Sequence, residues 1–148
     1  MTIRFVSYLC LVATVIFGLP LAAAGADASV VRIELQDAST RSDITGMRMV
    51  LDHATVKAGP VRLVAVNESK ALVHESLVIR DTGKPLPYDK GKDLVKEGKI
   101  RSLGEIPELD PGKTGRHTFD LTPGVYLLFC NQPDHYKQGM SAKLTVEK

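Results

Sequence analysis

Short apolar runs separated by turn residues fill the chain from Ser29 onward, and this punctuation constrains the fold more than any other feature. Residues 30–35, 47–56, 61–67, 74–80, 116–121, 125–130 and 142–146 are rich in β-branched side chains and either alternate or stay apolar throughout. Between them stand turns such as Ala58-Gly59-Pro60, Asp110-Pro111-Gly112 and Thr122-Pro123-Gly124. There Pro presets φ and Gly supplies φ > 0. Strands this short and this regularly interrupted predict an all-β fold, an antiparallel sandwich or barrel. No internal repeat or linker divides the run, so residues 27–148 are expected to form a single domain.

The first 26 residues follow different rules. Arg4 gives a short basic start, residues 5–21 form an apolar run, and Ala22-Ala23-Ala24-Gly25-Ala26 supplies small residues for a peptidase. That order is the pattern of a cleaved secretory signal peptide over residues 1–26. A membrane anchor needs about 20 apolar residues, and Gly18 and Pro20 interrupt this run near its end. Cys10 lacks the preceding small residues of a lipid-attachment site. The mature protein is therefore expected in the periplasm, without membrane insertion. Of the two cysteines only Cys130 would remain. A single thiol in an oxidising compartment calls for burial, an intermolecular partner or a metal.

Charge narrows the field further. With 19 Lys and Arg against 17 Asp and Glu, the formal charge of +2 leaves no basic footprint for nucleic acid. The charges are unevenly placed, however. Residues 84–101 hold Lys84, Lys90, Lys92, Lys96, Lys99 and Arg101 against Asp89, Asp93 and Glu97. A short helix over residues 89–98 is expected there, with Asp89 as N-cap and Gly98 as its stop. The segment reads as a solvated excursion between strands, or as a basic docking patch for an acidic partner.

Chemistry concentrates in residues 124–140. Residues 125–129 are apolar on both faces, which predicts a central, buried strand. Side chains alternate along a strand, so Cys130 shares a face with Tyr126 and Leu128. The loop that follows returns His135 and then Met140, in the spacing Cys-x4-His-x4-Met. A thiolate, an imidazole and a thioether form a copper-selective set that lacks one more imidazole. His74 is the best source, because it opens an apolar strand directly after a polar turn. His53 and His117 lie inside or beside strands of mixed polarity and read as surface residues.

These residues resemble the cupredoxins, the small blue type 1 copper proteins, over most of residues 30–146. The resemblance rests on Ala58-Gly59-Pro60-Val61, Val66-Asn67, His74-Glu75, Leu121-x-Pro123-Gly124-x-Tyr126 and Cys130-x4-His135-x4-Met140. The loop spacing is most similar to the rusticyanin and sulfocyanin branch. The likeness implies a Greek-key β-sandwich of about eight strands with one copper ion held by His74, Cys130, His135 and Met140. It also implies a backbone N–H of Glu75 aimed at the sulfur, an apolar surround of Leu72, Val73 and Tyr136, and His135 as the electron port. Two positions depart from the family pattern. Glu75 stands where Asn or Ser often ties the ligand loops together, and Asp134 replaces a frequent Gly.

The expected function is single-electron transfer by Cu(I)/Cu(II) cycling in an exported monomer, with a cytochrome or an oxidase as redox partner. No enzyme activity is expected, since there is no phosphate loop, HExxH motif or nucleophile elbow. A multicopper or binuclear site is unsupported too, with Phe129 and Asn131 flanking Cys130 and no second cysteine near it. Copper handling for resistance or enzyme assembly is the alternative. Met47 and Met49, with His53 nearby, could then form a second Cu(I) site, whereas core packing is the simpler reading of both methionines. A third reading is an adhesion module with a merely buried cysteine.

Overall fold

The computed structural model describes residues 28–148 apart from 41, 42 and 44, so the expected signal segment lies outside the described residues. Nine strands build two facing sheets. They are β1 (Ser29–Asp37), β2 (Met47–Leu51), β3 (Thr55–Lys57), β4 (Gly59–Asn67), β5 (His74–Arg80), β8 (Ser102–Leu109), β9 (Thr114–Leu121), β10 (Gly124–Phe129) and β11 (Ser141–Glu147). A two-residue hairpin, β6 (Tyr88–Asp89) and β7 (Leu94–Val95), stands between β5 and β8. One sheet runs β2-β1-β4-β9 and the other β3-β11-β10-β5-β8. Among the described residues no helix is long and apolar enough to cross a membrane.

The all-β sandwich is as expected, but it is mixed rather than purely antiparallel. β1 pairs with β4 in parallel, and so does β11 with β3. The run at residues 47–56 is not one strand. It breaks at Asp52-His53-Ala54, where Asp52 Oδ1 accepts the N–H groups of Arg32 and His53 at 3.0 and 2.8 Å. The chain thereby leaves the first sheet at β2 and joins the second at β3.

β10 is central, with β11 on one side and β5 on the other. Its two faces feed two separate cores. Tyr126 and Leu128 point into the sandwich with Val31, Ile33, Leu35, Leu63, Ile106 and Leu144. Leu127 and Phe129 point outward and join Leu77, Ile79 and Val95 in a second cluster, completed by Leu86, Tyr88, Ile100 and Tyr136. Covering a Leu or Phe side chain contributes about 1.5–3 kcal/mol, which explains why residues 84–101 fold back over this outer face.

The expected helix at residues 89–98 does not form. Asp89 caps no helix; its Oδ1 accepts the Gly91 N–H at 3.0 Å in a side-chain turn. Asp93 adopts φ 53°, which breaks helical continuity. Only a 3₁₀ turn at Glu97–Lys99 appears, with Gly98 inside it. The segment is a lid over the outer core, and its six basic side chains stay exposed. Strand β8 had no counterpart among the expected strands. It is an edge strand, which tolerates Pro107, and only Ile106 and Leu109 are buried along it.

Candidate metal centre

Two neighbouring strands of one sheet deliver the histidine and the cysteine. The antiparallel register sets Phe129 opposite Leu77, so the end of β10 meets the start of β5. His74, Ser76 and Val78 face inward there while Leu77 and Ile79 face the outer core. The turn entering β5 is pinned by Asn67, which is fully buried. Its Nδ2 donates to the carbonyls of Leu72 and Leu109 at 2.8 and 2.7 Å, and its Oδ1 accepts the Ser69 N–H at 3.0 Å. Ser69 Oγ then accepts the N–H groups of Ala71 and Leu72. His74 therefore starts its strand from a rigid base.

The loop after Cys130 is closed by its own backbone. Cys130 N–H donates to the Met140 carbonyl at 3.0 Å, Met140 N–H to the His135 carbonyl at 3.0 Å, and His135 N–H to the Gln132 carbonyl at 3.0 Å. Gly139 makes this closure possible with φ 102°, passing so near β2 that a Cβ would lie 2.8 Å from the Met47 carbonyl oxygen. Asp134 itself adopts φ 68° and donates its N–H to the Asp93 carbonyl at 2.8 Å.

His74, Cys130 and His135 converge, with one donor atom from each lying within 4.8 Å of the others. His74 Nδ1 and His135 Nδ1 are 3.1 Å apart, and Cys130 Sγ lies 3.3 Å from His135 Nδ1 and 4.0 Å from His74 Nδ1. Ligands bound to one first-row ion at about 2.0–2.3 Å sit roughly 3–4 Å from each other, so the spacing fits a single ion. Met140 is fully buried in the same core as Cys130. His74 is fully enclosed, while His135 retains 8 % exposure and is the imidazole nearer solvent. His53 and His117 lie elsewhere and exposed, the first against Asp52 and the second stacked on Phe119.

Burial governs the electrostatics. It pushes the Cys130 thiol up to about 11, against the backbone N–H groups of Gln132 and Glu75, which favour the thiolate. Burial and then the neighbouring His74 bring His135 down to about 4. Burial also lowers His74, opposed by Asp37. At neutral pH both rings are thus neutral, the form that binds a metal, and a metal must displace the thiol proton.

Three supporting residues complete the site. Glu75 Oε1 accepts the Asn131 N–H at 3.1 Å, so this carboxylate ties the start of β5 to the segment that follows Cys130. Asn131 fastens the lid, and it escaped the sequence reading because nothing local marks a partner at Val95. Asp37 escaped it as well. At the end of β1 and 3 % exposed, its Oδ2 lies 3.5 Å from His74 Nε2. Its only local signal was the Asp37-Ala38-Ser39-Thr40 turn, in which Oδ1 accepts from the Ser39 N–H and Oγ.

Comparison with known proteins agrees with this chemistry. Residues 36–147 match the family described as copper binding proteins, plastocyanin/azurin family. Among solved structures, the chain is similar to reduced auracyanin from Roseiflexus castenholzii, at TM-score 0.56 and 20 % identity over 84 % of this chain and 100 % of that one. Auracyanin A from Chloroflexus aurantiacus gives TM-score 0.55 and 20 % identity over 81 % and 99 % of the two chains. Rusticyanin from Thiobacillus ferrooxidans gives 0.58 and 16 % over 81 % and 79 %. No curated protein is a significant match.

Proposed function

The chain belongs to the plastocyanin/azurin family of copper-binding proteins, and we propose that it is an exported single-electron carrier in which His74, Cys130, His135 and Met140 hold one copper ion. The observation that carries this reading is the convergence of two imidazole Nδ1 atoms and one thiol at a buried strand end. Copper in such a site supplies a one-electron Cu(I)/Cu(II) couple, which thiolate, thioether and imidazole ligands together support in both states.

The protein's share is to keep the ligands still. Cys130 is fixed by the β10 ladder and its bond to Met140, His74 by the Asn67 turn, and His135 by the closed loop. Little ligand movement means little reorganisation when the charge changes. The Gln132 and Glu75 N–H groups favour charge on the sulfur. His135, the least enclosed of the three converging residues, is the proposed exit for the electron toward a redox protein such as a cytochrome or an oxidase.

Cu(II) titration with the visible spectrum recorded alongside tests the reading. An intense thiolate-to-copper band saturating at one ion per chain, and absent in Cys130→Ala, supports it. A colourless protein, or equal binding by Cys130→Ala, overturns it. Copper handling gains little from the structure, because Met49 packs into the core and His53 is exposed against Asp52. Two tightly bound Cu(I) ions per chain would favour that second reading.

A further inference from the structure

Asp37 belongs to neither the ligand set nor the ligand loop. It reaches the site from β1, in the opposite sheet, and lies under 4 Å from the far side of the His74 ring. Two buried polar atoms meet there. His74 Nε2 and Asp37 Oδ2 are 3.5 Å apart, too far for a well-formed hydrogen bond, and among the described residues neither atom has a hydrogen-bond partner. The other carboxylate oxygen is occupied separately, by the Ser39 N–H at 2.7 Å and the Ser39 Oγ at 2.5 Å. Asp37 thus divides its work, with Oδ1 holding a turn and Oδ2 directed at a ligand imidazole.

An unpaired buried carboxylate oxygen is costly. The Ser69 hydroxyl also lies against this carboxylate, but the ring nitrogen facing Oδ2 is His74 Nε2, which answers it only when it carries the proton. With the proton there, Nδ1 carries the lone pair and points at Cys130 and His135. The 3.1 Å contact between the two Nδ1 atoms needs one donor. If His74 Nδ1 is the acceptor, His135 Nδ1 bears the proton in the metal-free protein. Both assignments follow from one carboxylate.

We propose that Asp37 is a positioning residue for the copper centre, selecting the His74 tautomer that offers Nδ1 to the metal and placing a buried negative charge behind that ring. The proposal rests on the ligand assignment made above. A metal-bound imidazole is commonly oriented through its other nitrogen, and a carboxylate in that role raises its basicity. Negative charge behind the ring favours Cu(II) over Cu(I), so Asp37 holds the reduction potential down.

Two measurements test this. In the metal-free, ¹⁵N-labelled wild-type chain, NMR of the ring nitrogens should show His74 protonated on Nε2 and His135 on Nδ1. A His74 proton on Nδ1 overturns the proposal, and this measurement needs neither a variant nor copper. In the copper-loaded protein, Asp37→Asn should shift the ratio of Cu(I) to Cu(II) affinity at least tenfold toward Cu(I), a rise of 59 mV for one electron. Ser39→Ala, which disturbs the same turn without touching Oδ2, should move the potential by less than a third of that. An Asp37→Asn variant that keeps the visible band but not the shift, or equal shifts in both variants, overturns the proposal. A wild-type chain that binds no copper would instead defeat the ligand assignment, whatever the tautomer.

Discussion

Asn131 grips the main chain of Val95 from both sides, accepting its N–H at 2.7 Å and donating to its carbonyl at 3.1 Å. The same amide donates to Glu97 Oε1 at 2.6 Å, and the Asn131 N–H reaches Glu75. The residue after the cysteine therefore joins three segments: the end of β10, the start of β5, and the lid at residues 84–101. Asn131→Ala should leave two polar groups of buried Val95 unpartnered, at a cost of about 2–4 kcal/mol. Urea unfolding of the metal-free protein measures this. A loss under about 1 kcal/mol would mean that the lid docks on apolar contact alone.

Glu75 should make the protein's behaviour pH-dependent near neutrality. Burial, Glu105 and further carboxylates raise it from 4.5 to about 7, against the Asn131 N–H. Its folded value lies above its unfolded one, so its stabilising contribution is complete below about 4.5 and lost as pH rises through about 7. The stability of the metal-free wild type relative to Glu75→Gln should accordingly fall across that window. Bound copper, being positive, moves the midpoint below 7. Ionised Glu75 then favours Cu(II), so the potential should fall with rising pH in the wild type and stay flatter in Glu75→Gln. Parallel slopes by voltammetry would refute the link.

His135 acts in the opposite direction. Its folded value of about 4 lies below its ordinary 6.5, so its contribution is present above 6.5 and lost as pH falls through 4. Metal-free protein should lose stability on acidification over that range, and His135→Gln should lose less. Thermal unfolding followed between pH 7 and roughly 4 compares the two.

Gly139→Ala should be much worse than Gly59→Ala, although both glycines have positive φ. A Cβ at Gly59 meets nothing within 4 Å, whereas one at Gly139 lies 2.8 Å from the Met47 carbonyl oxygen. Conformational cost alone, about 1 kcal/mol, applies at Gly59. At Gly139 backbone must move as well, for about 2–4 kcal/mol in total, and the loop bearing His135 and Met140 moves with it. Calorimetry checks the stabilities, and a displaced visible band in Gly139→Ala alone checks the loop.

Asn67→Ala should cost about 2–4 kcal/mol, since it frees the carbonyls of Leu72 and Leu109 and the Ser69 N–H together. Copper dissociation should also quicken, because the turn presenting His74 loses its anchor. Unfolding curves and chelator competition read the two effects; unchanged chelator kinetics would show that β5 alone places His74.

Much of this architecture is legible in the chain because each inward strand carries its own apolar pattern. His74, Cys130 and His135 come together as their strand ends and spacing imply. What escapes has a common physical cause. β8 buries only Ile106 and Leu109, too few for a pattern. The split of residues 47–56 between sheets depends on Asp52 gripping the Arg32 N–H on the neighbouring strand, a partner 20 residues away. The lid's polar sequence favours a helix locally, and the uncovered face of β10 and β5 overrides it. Asp37 and Asn131 act through partners more than 30 residues away, which no local window contains.

The two-faced burial of β10 has a bearing on the protein before it meets copper. Its thiol sits at the end of a strand that both cores hold, with no exposed surface. Oxidants and alkylating reagents can reach Cys130 only when the structure around it opens, either locally at the loop over residues 130–140 or throughout the sandwich. In the metal-free protein the rate of thiol modification is then a clock for that opening, slowing as stability rises. A chain that carries this thiol free and buried would owe its shelf life, while it waits for metal, to hydrophobic packing.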